Sequence, residues 1–156
     1  MSYTKEKTLL ASTWIICFFL LIFLVPKEKR MHAYVAFLFK QLITWSAGLI
    51  VAEKGWIKYP YREFKKSNTS FTFEYFVFPT LSALFNVHYP EKKSIFVKGL
   101  YYLFFTAVIS LPELYAVRNT KLIKYCNWTW YWSFISIWLT FYISRIHYRW
   151  FFKCVD

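Results

Sequence analysis

The stretch LLASTWIICFFLLIFLV, residues 9–25, decides which kind of fold this chain can adopt, because it runs for 17 residues without a charged side chain. Coiled as an α-helix it would be about 26 Å long, close to the hydrocarbon thickness of a bilayer, which is about 30 Å. Lys5 and Lys7 precede the stretch and Pro26 ends it, with no small-x-small cleavage site. We therefore predict an uncleaved membrane anchor.

Four further apolar runs follow this stretch, at residues 32–52, 71–87, 97–115 and 128–146. They lack the strict alternation of barrel strands, and their lengths approach what a helix needs to cross a bilayer. The sequence therefore predicts an all-α fold, a polytopic transmembrane helical bundle that forms one domain over residues 1–156 with about five spans. Four spans is the alternative, in which either the short run 71–87 or the polar-interrupted run 32–52 becomes an interfacial or re-entrant segment.

Composition also indicates a lipid environment. Hydrophobic residues make up 58% of the chain and aromatic residues 25%, which is too apolar for a disordered protein. Lys and Arg number 20 against 8 acidic residues, an excess that in a soluble protein would suggest nucleic acid. Here the cations fall between the apolar runs, where lipid headgroups favour them. We predict the lipid bilayer as the partner and no nucleic acid.

The same cations barely favour one orientation of the bundle. With five spans, ten of them lie on the side of the N-terminus and nine on the opposite side. The densest block, residues 54–66, weakly favours a cytoplasmic N-terminus, because Lys and Arg are retained on the cytoplasmic side.

Small and polar side chains recur along one face of three predicted helices. The spacings of three and four residues that put them on a shared face are those of an α-helix. Two interpretations stay open: the faces are packing seams with hydroxyls bonded to their own helix, or they line a hydrated path or a polar pocket. The lining candidates are Thr44, Gly48, Thr106, Ser110, Ser136 and Thr140.

Four ionisable residues, Lys40, Glu53, Glu74 and Glu113, lie in or at the ends of the apolar runs and are our candidates for binding a ligand or an ion. With five spans the three glutamates come near the same membrane face, where their charges would repel or attract a cation. The alternative is that each glutamate is hydrated at the interface, and that Lys40 extends along its helix toward the headgroups.

No residues indicate a metal site, a cofactor or a catalytic motif. His32, His88 and His147 fall near one face and could bind a metal or sense pH, but nothing in their spacing requires it. The cysteines Cys17 and Cys126 share no metal-type spacing, and neither does Cys154, which lies outside the residues described below. We predict no metal and no cofactor.

Four aromatic segments carry a resemblance: FTFEYFVFP at 71–79, FNVHYP at 85–90, WTWYWSF at 128–134 and RIHYRWFF at 145–152. Together they resemble a family of small, uncharacterised multi-span membrane proteins of spore-forming Bacillus and Clostridium relatives. The resemblance implies a bacterial cytoplasmic or spore membrane. It implies no catalytic residue.

Three hypotheses for function follow from these observations. The leading one is a non-enzymatic membrane protein that binds or conducts a small polar solute or ion, or that serves as a subunit of a larger assembly or a homo-oligomer. The second is a membrane-embedded enzyme acting on lipid or a lipid-linked substrate, with Glu74 and Glu113 as acid and base and Arg118 holding a phosphate. The third is a structural scaffold.

Overall fold

The computed structural model describes residues 4–61 and 69–153 and confirms the all-α prediction. A 3₁₀ turn (Lys27–Lys29) joins the first two helices, and a π-helical turn (Phe73–Val77) leads into the third. Two very short strands, β1 (Ile57–Lys58) and β2 (Lys124–Tyr125), pair in antiparallel fashion. The five helices of the described residues are α1 (Thr4–Leu24), α2 (Arg30–Glu53), α3 (Phe78–Val87), α4 (Ile95–Asn119) and α5 (Trp130–Lys153).

Local sequence explains several of the helix ends. Helix α2 stops at Gly55, whose φ of +69° is readily adopted only by glycine. The N–H of Gly55 then bonds the carbonyl of Ala52, and the N–H of Trp56 bonds that of Val51, which is the Schellman arrangement. The turn sends the chain directly into β1. At the start of α4, the Ser94 hydroxyl caps the helix by accepting the N–H of Val97.

Helix α3 occupies the centre of the bundle. Every residue from 79 to 87 is buried, so this helix is enclosed on all sides rather than on one face. Its Phe85 is fully buried and makes an edge contact with the ring of Tyr102 and a tilted contact with that of Phe141, at centroid distances of 4.9 and 4.8 Å. The other helices pack around α3, and α2 makes the most extensive contact with it.

The outward surface of the bundle is strongly apolar. Phe23 on α1 and Ile95 and Phe96 on α4 keep 75%, 89% and 72% of their surface exposed. Three helical segments of the described residues are long and apolar enough to cross a membrane, namely Thr4–Leu24, Lys27–Glu53 and Ile95–Asn119. An apolar exterior over helices of this length is what a lipid environment requires. The protein is therefore a helical membrane protein.

Contacts define the two ends of the bundle. At one end β1 pairs with β2, with Ile57 opposite Tyr125. At the other end Lys29 donates to the carbonyl of Val87, and His32 hydrogen-bonds the Tyr148 hydroxyl. The turn after α1, the end of α3 and the last turns of α5 therefore lie together.

The helices extend beyond the apolar runs that predict them. Helix α4 covers Ile95–Asn119 where the run covers 97–115, and α5 reaches Lys153 where the run ends at 146. Charged residues end an apolar run, but they do not end a helix once it leaves the hydrocarbon. The aromatic residues at 148–152, which lie past the end of the fifth run, belong to α5 itself.

Candidate functional site

A cavity of about 410 Å³ lies inside the half of the bundle nearest β1 and β2. All five helices contribute to its wall, which is mostly apolar. The wall also reaches the outer surface of the bundle, since it includes the exposed residues Ile16 of α1 and Tyr115 of α4. Among its few polar residues are Thr44, Glu74, Glu113, Ser133, Ser136 and Thr140.

Glu74 reaches this wall from the π-helical turn and is itself buried. Its carboxyl group lies against Gly48 of α2, so closely that a methyl group on Gly48 would come 2.6 Å from Oε2 and nearer still to Oε1. The Tyr59 hydroxyl donates to Oε1 at 3.4 Å. Glycine at position 48 is therefore what allows a carboxylate to occupy this place.

The π-helical turn owes its stability to side chains of α2. Pro79 has no N–H, so it cannot donate to the preceding turn. Two carbonyls there instead accept from α2: that of Glu74 from the Thr44 hydroxyl at 2.9 Å, and that of Tyr75 from the Gln41 amide at 3.2 Å. Turns of this kind recur at functional sites, and this one aims Glu74 into the cavity.

Glu113 is the second carboxylate of the wall and lies in α4 directly after Pro112. Its Oε1 accepts hydrogen bonds from the Tyr125 hydroxyl at 2.6 Å and the Ser133 hydroxyl at 2.7 Å. The indole N–H of Trp128 in turn donates to the Ser133 oxygen at 2.8 Å. Three donors thus point, directly or through one hydroxyl, toward a single carboxylate oxygen.

Two tyrosines link the carboxylates to the β1–β2 end. Burial raises the pKa of Tyr59 well above its ordinary value, and the charges of both Glu74 and Glu113 raise it further. Burial, followed by the charge of Glu113, likewise raises the pKa of Tyr125. Both phenols therefore stay protonated at neutral pH and act as donors.

Lys40 lies behind the wall rather than in it. It is completely buried, and its Nζ donates to the Thr140 hydroxyl at 2.6 Å while lying 4.2 Å from the centre of the Phe141 ring. Thr140 does line the cavity. Lys40 thus does not extend to the headgroups, and its amine faces a hydroxyl and an aromatic ring.

The remaining predicted residues divide between the wall and the packing. Ser136 lines the cavity and donates to the carbonyl of Ser133. Thr106 and Ser110 are completely buried away from it and donate to carbonyls four residues earlier, as a packing seam requires. Glu53 is exposed and lies outside the wall. The structure therefore brings together Glu74 and Glu113 and leaves Glu53 out.

Three cations that follow Glu53 or Glu113 in the sequence also lie outside the cavity wall. Arg118 and Lys121 are exposed and do not line the cavity, and Lys54 lies over the ring of Trp56. The donors to Glu113 are hydroxyls, which sequence reasoning missed because Tyr125 and Ser133 carry no charge. The sequence does point to Ser133, because this residue begins the row of small and polar side chains along the fifth apolar run.

The histidines do not converge. His32 bonds Tyr148, His88 contacts the carbonyl of Leu84, and His147 stacks on Phe39 with ring centroids 3.5 Å apart. Within residues 4–61 and 69–153, no group of three His, Cys, Asp or Glu side chains is arranged to hold a metal.

A second buried polar network, which the sequence did not indicate, lies at the opposite end of the bundle. Arg145 of α5 forms an ion pair with Glu91, which is half exposed, and lies 4.1 Å from the centre of the Tyr89 ring. Asn86 donates to the Ser144 hydroxyl, which also bonds Ser82. These contacts fasten α5 to α3 and to the turn after it, so we regard them as structural.

Comparison of the chain with protein-family models, with curated proteins and with solved structures finds no match. The cavity and its two carboxylates are therefore the features that bear on function.

Proposed function

We propose that this chain is a multi-pass membrane protein with five spans that binds a small molecule in the cavity between its helices. The pairing of β1 with β2 supports a crossing by the segment that ends in α3. Helix α4 leads from one end of the bundle to the other, so residues 88–94 must lie opposite β2. If the segment 71–87 did not cross, β1 would lie on that opposite side as well and could not pair with β2.

Contacts of α5 support the fifth span. The helix begins a few residues after β2 and ends beside the start of α2, where His32 bonds Tyr148. It therefore runs the full length of the bundle. Its many Tyr and Trp residues lower its hydropathy, and its last turns carry charge, yet its exterior still presents large apolar side chains such as Ile135 and Ile146.

One observation carries the binding proposal: an apolar cavity of about 410 Å³ with a few convergent polar groups. Clefts of roughly 300–1,000 Å³ with this balance of apolar and polar wall are the usual form of small-molecule sites. A packed scaffold has no need of such a space, because protein interiors are otherwise close-packed. The wall reaches the lipid-facing surface at Ile16, so a ligand dissolved in the bilayer has a path to it.

The enzyme hypothesis receives less support. It requires a cation beside Glu74 and Glu113 to hold a phosphate, and Arg118 is exposed and does not line the cavity. Two hydroxyl donors, those of Tyr125 and Ser133, also hold one oxygen of Glu113 in place.

Location and orientation stay predictions. The resemblance favours a bacterial cytoplasmic or spore membrane, and the basic block at 54–66, of which residues 62–66 lie outside the described residues, favours a cytoplasmic N-terminus. Association with further membrane subunits or a second copy is compatible with the apolar exterior.

A photolabelling experiment tests binding in the cavity. The probe is the small apolar photolabel phenyl(trifluoromethyl)diazirine, applied to the full chain in lipid nanodiscs, with labelled residues identified by mass spectrometry. We expect labelling of Cys17 and Ile109, which line the cavity and are only 4% and 5% exposed.

A matched pair of variants supplies the control. Ile16 and Ile15 are neighbours on α1 with 57% and 56% of their surface exposed, but only Ile16 lines the cavity. Ile16→Trp should reduce labelling of Cys17 and Ile109, whereas Ile15→Trp should not. Absence of label at the buried wall residues, or equal labelling in the two variants, would contradict the proposal.

A further inference from the structure

The charges in the cavity wall are opposite to those of the chain. The protein carries 20 Lys and Arg against 8 Asp and Glu, a net charge of +12. Within the described residues, however, the wall contains no Lys, Arg or His, and its charged residues are Glu74 and Glu113. Lys40 lies behind Thr140, with its Nζ bonded to that hydroxyl.

Glu113 is held as an acceptor. Tyr125 and Ser133 each direct their hydroxyl proton to Oε1, and Trp128 directs its N–H to the Ser133 oxygen. Because the Trp128 N–H occupies a Ser133 lone pair, the serine proton is left for the glutamate. Burial of the Glu113 carboxyl group disfavours its charge, and the convergent donors partly offset that effect. Its Oε2 makes no hydrogen bond within the described part of the chain and remains available to a ligand.

Burial in an apolar wall disfavours the charge of a carboxylate, so its ionised form calls for a counter-charge. Leaving a buried charge unpaired is costly, and a cation within a few Å relieves that cost. The described residues of the wall include no basic side chain, so a ligand would supply that cation. Aromatic wall residues, among them Phe73 and Trp128, add faces that attract positive charge.

We propose that the cavity binds a small lipophilic monovalent cation, of the aromatic or aliphatic ammonium class, with Glu113 as its counter-ion and Glu74 as the second carboxylate of the site. The apolar wall accommodates the hydrocarbon part of the ligand, and the carboxylates accommodate its charged end. This inference rests on the proposed function, because it names the class of molecule that the cavity takes.

The test compares two probes of the same shape. Benzyltrimethylammonium carries one positive charge, and neopentylbenzene replaces its nitrogen by carbon and is neutral. Binding is measured as stabilisation of the full chain against thermal unfolding, in nanodiscs of zwitterionic lipid so that lipid charge does not concentrate the cation. The wild-type protein should bind the cation more tightly than its neutral counterpart.

Variants then locate the charge recognition. Glu113→Gln should weaken binding of the cation by at least about tenfold, since one partner of a desolvated charge pair is lost, while binding of neopentylbenzene stays unchanged and shows that the variant is folded. Glu74→Gln should weaken binding of the cation by a smaller factor. Glu53→Gln is the matched control, because it removes an exposed glutamate of α2 that lies outside the wall, and it should bind both probes as the wild type does.

Two other outcomes overturn the inference in different ways. Equal affinity for the two probes, or cation binding that survives Glu113→Gln unchanged, would refute the charge preference and leave the binding function in place. Failure of both probes to stabilise the wild-type protein would count against the ligand class and the proposed function together.

Discussion

Replacement of Gly48 by alanine tests whether Glu74 occupies the place described for it. A methyl group on Gly48 would overlap the Glu74 carboxylate, 2.6 Å from Oε2 and closer to Oε1. Overpacking of this kind costs about 1–3 kcal/mol, and alanine gains about 1 kcal/mol over glycine inside a helix. We therefore expect Gly48→Ala to lower the free energy of unfolding by about 0–2 kcal/mol, measured by reversible unfolding in mixed detergent micelles.

Two control variants test whether the contact with Glu74 causes the expected change in the free energy of unfolding. Gly99 of α4 has no atom within 4 Å of the position of an added methyl group, so Gly99→Ala should stabilise the protein by up to about 1 kcal/mol. In a Glu74→Ala background the overlap is gone, and Gly48→Ala should also become stabilising, a coupling of about 1–3 kcal/mol between the two positions. If Gly48→Ala stabilises the otherwise wild-type protein as much as Gly99→Ala does, the contact between Glu74 and Gly48 does not exist.

Three further predictions concern the turn, the topology and the response to pH. Thr44→Val should lower the free energy of unfolding by about 1–2 kcal/mol, because the Glu74 carbonyl loses its donor. Thr44→Ser keeps a hydroxyl and should not lower it. Equal losses in the two variants would refute the role of the hydroxyl. With five spans, cysteines introduced by Lys58→Cys and Lys92→Cys should react with an impermeant maleimide from opposite sides of a sealed vesicle; reaction from one side would support a four-span arrangement in which 71–87 does not cross. The raised pKa of Tyr125 favours the neutral phenol in the folded state, so its contribution to stability is complete below its ordinary pKa of 10 and is lost as the pH rises beyond it. Unfolding measured from about pH 9 to 11 should show this alkaline loss, and Tyr125→Phe should reduce it; an unchanged loss would assign it to another group.

The sequence predicts the helices well, because each apolar run long enough to approach bilayer thickness has few alternatives to a helix. It predicts the third run least well. The run 71–87 reads as one helix, but Pro79 and the donors on α2 divide it into a π-helical turn and a short α-helix. Those donors lie about 30 residues away in the chain, so no local pattern contains them.

The candidate site is predictable to the extent that topology alone determines it. The predicted five-span topology would bring Glu74 and Glu113 to the same half of the bundle, and the structure has both in one wall. Glu53 differs because it is the last residue of α2, just before the turn at Gly55 leads the chain away. Tyr59 and Tyr125 reach the carboxylates because the segments that follow α2 and α4 fold back over the bundle. These segments have no periodic sequence pattern, so their course could not be predicted from the sequence.

The complete enclosure of α3 has a consequence for how this protein can change over time. At exposed positions such as Phe23 and Ile95, any hydrophobic side chain of similar size should be compatible with the fold. We therefore expect substitutions to accumulate freely there. From position 79 to 87 the surroundings are the chain's own helices, whose shapes and hydrogen-bonding partners dictate each residue individually, including polar ones such as Ser82 and Asn86. Natural variants should therefore differ freely at these exposed positions and be nearly invariant over residues 79–87.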